Sequence, residues 1–256
     1  MVEIKRKAAL VTGAGKRIGR AIALDLAAHG WDVAVHYLRS RADADAVVAE
    51  IAAAGGRAVA VAGDLERESE VEGLVPAAVE RLGPLGLLVN NASVFERDEA
   101  LDATRRSWDR HMEANLRAPF VLSQQFARQL PEGERGLIVN ILDQRVWNPT
   151  PHFVSYTVSK MGLWALTRTL AMALAPQVRV NGIGPGPTLR NSRQTEAEFT
   201  AQWEATPLRR GTTPEEICAA VRFLIDAPAV TGQMIALDGG EHLGWAQPGQ
   251  GFVPVE

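Results

Sequence analysis

Val11-Thr12-Gly13-Ala14-Gly15-Lys16-Arg17-Ile18-Gly19 is the stretch that decides the fold. Ahead of it, Ala8 to Val11 is a short apolar run of strand character; behind it, Ile18 to His29 places apolar residues at helical spacing. Glycines between a strand and a helix permit a tight turn whose backbone N–H groups, with the helix N-terminus, aim at a phosphate or pyrophosphate. A plain structural turn has the same composition, so the rest of the chain must decide between them.

Outward from the turn, short β-branched runs alternate with longer helical patterns. Ala8 to Val11, Val33 to His36, Ala58 to Ala62, Leu87 to Asn90, Leu137 to Leu142, Val178 to Ile183 and Met234 to Leu237 read as strands. Between them, Ile18 to His29, Arg41 to Ala54, Glu68 to Arg81, Ser107 to Leu130, Val154 to Leu174 and Pro214 to Asp226 read as helices. Such alternation predicts an α/β fold, a doubly wound parallel sheet of about seven strands with helices on both faces. One domain is expected over residues 1–243, with a Gly- and Pro-rich tail over 244–256. Gly184 to Thr195, opening on Pro185-Gly186-Pro187, is expected to leave the sheet as a loop, with a short helix near Glu196 to Ala205. That segment lies at the carboxyl ends of the strands, where open α/β sheets bind ligands.

The composition excludes several classes. With 46% apolar and 22% charged residues, the 256-residue chain is neither disordered nor fibrous. A net charge of −3 with scattered Lys and Arg disfavours nucleic acid and anionic membranes as partners and favours a small molecule. The apolar run after Lys5, Arg6 and Lys7 is too short for a signal peptide, and no segment reaches spanning length, so a cytoplasmic protein is expected. Cys218 reads as a buried structural thiol, and the five histidines lack ligand spacing, so no metal site is expected.

Two further places carry chemistry. After the second strand, His36-Tyr37-Leu38-Arg39-Ser40-Arg41 holds no acid to bind the adenosine ribose of NAD; Arg39, Ser40, Arg41 and Lys16 instead offer donors to a 2′-phosphate, so NADP(H) is preferred. Tyr156 and Lys160 stand four residues apart in a helical run and share a face. An ammonium beside a phenol favours the phenolate, which suits the pair to proton transfer. Asp143 ends the fifth strand at the same face of the sheet.

Together with Asn90-Asn91-Ala92, Asn115, Pro185-Gly186 and Asp238-Gly239-Gly240, these residues resemble the short-chain dehydrogenase/reductase family, whose domain is a Rossmann-type fold. The resemblance covers nearly the whole chain. It implies catalytic use of Asn115, Tyr156 and Lys160. It also implies cofactor contacts from Gly13, Lys16, Arg17, Ile18 and Gly19, from His36, Tyr37, Arg39 and Ser40, from Asp64 and Leu65, from Asn91, Ala92 and Ser93, and from Tyr156, Lys160, Pro185 and Gly186. Pro187 lacks the backbone N–H that often meets the nicotinamide carboxamide in this family. The resemblance implies a homotetramer; a separate expectation is that the tail from Gly244 reaches a neighbouring subunit's active site.

Departures from the common pattern narrow the reading. Arg17 replaces a glycine, and Asp143 stands where most members carry a serine that donates to the substrate oxygen. An ionised carboxylate repels a developing alkoxide but suits a substrate rich in N–H donors. With Ser93-x-Phe95, these departures resemble the pteridine reductase branch. That resemblance implies a pterin ring stacked on Phe95, oriented by Arg17 and Ser93, and reduced with Asp143, Tyr156 and Lys160 as the proton relay. The alternatives are a carbonyl or 3-oxoacyl-thioester reductase of the same family, and a non-catalytic NADP(H)-sensing module.

Overall fold

The computed structural model of the chain describes residues 4–191 and 193–244. The expected tail beyond Gly244 therefore lies outside the described residues. Seven parallel strands form one sheet in the order β3-β2-β1-β4-β5-β6-β7. They are β1 (Ala8–Val11), β2 (Asp32–Tyr37), β3 (Ala58–Ala62), β4 (Leu87–Asn90), β5 (Gly136–Ile141), β6 (Val178–Pro185) and β7 (Met234–Leu237). All four residues of β1 and of β4 are buried, as strands covered on both faces require.

The helices divide between the two faces. On one, α1 (Arg17–Ala28), α2 (Arg41–Ala53) and α8 (Pro214–Asp226) enclose a core that includes Ile22, Leu26, Val47, Ile51, Val221 and Leu224. On the other, α3 (Glu68–Leu82), α5 (Ala118–Gln129) and α6 (Val154–Ala173) enclose Leu74, Val75, Leu122, Phe126 and Leu170. Two shorter helices, α4 (Arg105–Met112) and α7 (Glu196–Glu204), start in capping boxes, Thr104 with Ser107 and Thr195 with Glu198. Among the described residues no helix is long and apolar enough to cross a membrane.

Two elements differ from the sequence reading. The helix expected over Ser107 to Leu130 is divided, because residues Glu113–Arg117 between α4 and α5 form a π-helical turn. The wider turn turns the Asn115 amide toward the loop after β4 and toward α6, and the hydrogen bonds it gains there offset the poorer helix. Pro185, expected to open the loop, is instead the last residue of β6, in register with Leu237. Its ring nitrogen faces the β5 side beyond the last paired residue there, Ile183, so the missing N–H removes no ladder bond. Gly186 resumes the pairing by donating to Leu237 O.

The strand order reverses direction between β1 and β4. The crevice at their carboxyl ends is the topological switch point where ligands bind in such sheets.

Candidate active site

The turn after β1 is built for close approach of backbone. Gly13 holds φ +62°, and a Cβ on Gly19 would collide with Gly13 O and the Asn91 amide. Asn91 itself stitches β4 to the turn, donating to Thr12 O at 2.8 Å. Lys16 caps α1 without a side-chain hydrogen bond, which leaves the first N–H groups of the helix for a ligand. Arg17 takes φ +53°, a left-handed conformation that costs about 1 kcal/mol in a non-glycine residue. Its guanidinium offsets that strain by donating to Leu189 O and Arg190 O at 2.8 and 2.9 Å, tying the turn to the loop after β6.

The His36 ring is buried and does not line the cavity. It is 2% exposed; its Nδ1 accepts from Gly13 N–H at 3.0 Å, so its Nε2 carries the proton and donates to Gly63 O at 3.0 Å. Burial pushes its pKa down to about 4, with the Gly63 bond and Asp64 opposing, so the ring is neutral and shapes the turn from behind. Lys16 is paired with Asp43 at 2.9 Å and Arg41 with Asp45 at 3.3 Å. Arg39 is exposed and has no ion pair among the described residues, and the Ser40 hydroxyl is not used to cap α2. Asp64 accepts from Glu66 N–H, Leu65 is half-buried against the α3 face, and Tyr37 packs on the α1 face.

Below the turn lies a cavity of about 530 Å³ lined by Asp143, Tyr156, Lys160, Phe95 and residues of the loop after β6. The Tyr156 hydroxyl donates to Asp143 Oδ2 at 2.8 Å, and Lys160 Nζ donates to Ile141 O at 2.8 Å. Lys160 is 2% exposed, and burial lowers its pKa to about 8 although Asp143 draws it upward. Asn115 is fully satisfied: its Oδ1 accepts from Val94 N–H at 2.8 Å and from the Ser93 hydroxyl, and its Nδ2 donates to Val94 O and Ser159 Oγ. Ser93 is thereby committed to Asn115, while Ala92 N–H donates to Thr12 Oγ1. The sequence-selected set Asp143, Tyr156, Lys160, Ser93 and Phe95 therefore meets in one cavity, with Asn115 directly behind it.

Several residues of this constellation escaped the sequence reading. Arg145, only 7% exposed, donates through its backbone N–H to Asp143 Oδ1 at 2.8 Å and through Nη1 to Oδ2 at 3.3 Å. Asp143 is thus a paired carboxylate as well as an acceptor for Tyr156. Phe95 is not an open platform: Phe153 stacks on it at 4.6 Å and 7°, and the Tyr156 ring meets it edge-on at 4.7 Å.

The first turn of α6, which carries Tyr156, is held by Asp98. This carboxylate accepts from Ser155 N–H at 3.1 Å and from the Ser155 and Ser107 hydroxyls. Buried His111 completes the network, accepting from Glu96 N–H and donating to Ser155 Oγ at 2.7 Å. Burial works to raise the Asp98 carboxyl, but the Ser155 and Ser107 hydrogen bonds and His111 outweigh it and hold Asp98 below its ordinary range. Asp98 lies in the loop after β4, 57 residues before Ser155, so no local pattern reveals this cap.

A tyrosine hydroxyl bonded to a carboxylate, a buried ammonium beside it and a glycine turn at the switch point define an oxidoreductase site. The chain belongs to the short-chain dehydrogenase family, whose model matches residues 7–201. Among solved structures it is similar to the FolM alternative dihydrofolate reductase 1 of Brucella suis in complex with NADP. The two are 47% identical with a TM-score of 0.92, over 96% of this chain and 98% of that one. The corresponding protein of Brucella canis, also complexed with NADP, is 46% identical with a TM-score of 0.91, over 97% and 99% of the two chains. A 3-oxoacyl-[acyl-carrier-protein] reductase of Synechocystis sp. is 35% identical over 94% of this chain and 98% of its own length.

Proposed function

We propose that the chain is an NADPH-dependent reductase that converts a dihydropterin or dihydrofolate to its tetrahydro form. The observation that carries this reading is the Tyr156–Asp143 hydrogen bond at 2.8 Å, in which a carboxylate occupies the position facing the substrate. The uncapped start of α1 and the Gly13–Gly19 cradle suit the pyrophosphate of NADPH, and Arg39, which has no ion pair among the described residues, suits its 2′-phosphate together with the Ser40 hydroxyl. When bound, NADPH supplies the hydride.

The protein's own residues supply orientation and the proton. Asp143 accepts N–H groups of an aminopyrimidine-type ring, and the Tyr156 hydroxyl, which donates to Asp143 in this structure, turns from it toward the ring nitrogen to deliver its proton. Lys160 sits with Nζ 5.8 Å from the Tyr156 ring centroid and stabilises negative charge on the phenol oxygen as its proton leaves for the ring nitrogen. Because Asp143 and Tyr156 share a hydrogen bond, their proton losses belong to the pair. Arg145 keeps the carboxylate paired in a largely dry site, where an isolated charge is costly.

The names of the Brucella relatives support the pterin class, and that of the Synechocystis relative supports a 3-oxoacyl thioester as the competing class. Against the latter, Asp143 has no proton to donate to an alkoxide while it accepts from Tyr156. The test is NADPH oxidation by the purified protein with dihydrobiopterin, dihydromonapterin and dihydrofolate beside ketones and acetoacetyl thioesters. Preferred turnover of a dihydropterin is expected; activity confined to carbonyls would discard the pterin reading and leave the family standing.

A further inference from the structure

The cavity is cationic in a chain that is anionic. Among the described residues, Arg17, Arg145, Lys160 and Arg193 line it against two acids, Asp143 and Glu241, although the chain carries a net charge of −3. Three of the four cations have work inside the protein. Arg17 ties the turn to Leu189 O and Arg190 O, Arg145 pairs with Asp143, and Lys160 donates to Ile141 O.

Arg193 differs. It is exposed at the mouth and has no carboxylate partner among the described residues. Its guanidinium lies 5.4 Å from the Phe95 ring centroid and reaches Phe95 O at only 3.4 and 3.5 Å, the long edge of hydrogen bonding. Phe153 already covers one face of Phe95, so a flat ring that stacks on Phe95 must come to lie beside Arg193. A substituent extending from that ring toward solvent then passes a guanidinium without a strong partner, whose fork matches a carboxylate or phosphate.

We infer that Arg193 is a specificity residue that selects substrates whose ring carries an anionic substituent over those with a neutral one. This rests on the proposed ring-reductase function and adds the substrate's charge to it. The guanidinium resting on Phe95 is displaced by the incoming ring and engages the anion of its tail.

Turnover by the full chain and its Arg193→Ala and Arg193→Lys variants tests this, with three substrates: dihydrofolate, whose tail bears carboxylates; dihydroneopterin phosphate; and dihydrobiopterin, whose tail is neutral. Arg193→Ala is expected to raise KM for an anionic substrate about tenfold, the scale of one charge-assisted hydrogen bond, with kcat nearly unchanged. KM for dihydrobiopterin should stay within about twofold, and Arg193→Lys should recover part of the loss. Loss confined to dihydrofolate assigns the carboxylate, and loss confined to the phosphate ester assigns the phosphate. Equal effects on all three substrates, or none on any, overturn the inference while leaving the reductase reading intact. Turnover of ketones with none of any dihydropterin overturns both.

Discussion

Acid should loosen this protein through a single buried imidazole. His36 is locked in one neutral tautomer, accepting from Gly13 N–H and donating to Gly63 O, and a proton on Nδ1 would face the Gly13 donor directly. Its pKa falls from 6.5 in the unfolded chain to about 4 in the fold. With the folded value depressed, the unfolded state binds more protons between those values, so His36's contribution is whole above pH 6.5 and is lost as pH falls toward 4. The difference corresponds to about 3 kcal/mol. Urea unfolding of the wild type and of His36→Gln at a series of pH values reads it directly. The variant should be less stable at neutral pH but lose about 3 kcal/mol less than the wild type across the acid window. Parallel stability curves for the two proteins, or a His36 ring that titrates near 6.5 by NMR, would refute the reasoning.

The remaining predictions concern the site. Arg39→Ala should weaken NADPH binding about tenfold while leaving NADH binding unchanged, measured by cofactor fluorescence titration; equal losses would remove Arg39 from the 2′-phosphate. Asp98→Ala strips the acceptor from Ser155 N–H and from the Ser155 and Ser107 hydroxyls, and should cost about 3 kcal/mol in urea unfolding. A cost below about 1 kcal/mol would mean that the start of α6 holds without it. Reductase activity should fall as pH rises through about 8, where buried Lys160 loses the proton whose charge supports the Tyr156 phenolate; a profile flat to well above that value would contradict the role.

The fold was legible because its signals are periodic and local. Strands such as Leu87–Asn90 are short, apolar and bounded by turns, and the Gly13–Gly19 turn has no cheaper composition, since a Cβ at Gly19 meets backbone. The π-helical turn at Asn115 was not legible, because one extra residue per turn leaves an apolar pattern that still reads as a helix. Arg145 was missed for a different reason. An arginine four residues after the end of β5 reads as surface, and only the three-dimensional pairing with Asp143 explains its burial. Likewise, nothing local links Phe95 to Phe153, whose stacking changes Phe95 from an open platform into a half-covered one. His36, read from the sequence as a cofactor contact, has its ring buried between Gly13 N–H and Gly63 O, a placement only the sheet reveals.

The central claim is that Asp143 makes this site a reductase of N–H-rich rings, and Asp143→Asn tests it most directly. The substitution keeps the size and an acceptor for the Tyr156 hydroxyl but removes the charge that pairs with Arg145. The measurement is kcat/KM for a dihydropterin alongside the NADPH dissociation constant of the same preparation. The account predicts a fall of about a hundredfold or more in kcat/KM with cofactor affinity within about twofold of wild type. Unchanged turnover, or a parallel loss of NADPH binding, would contradict it and make Asp143 a structural acid at the end of β5.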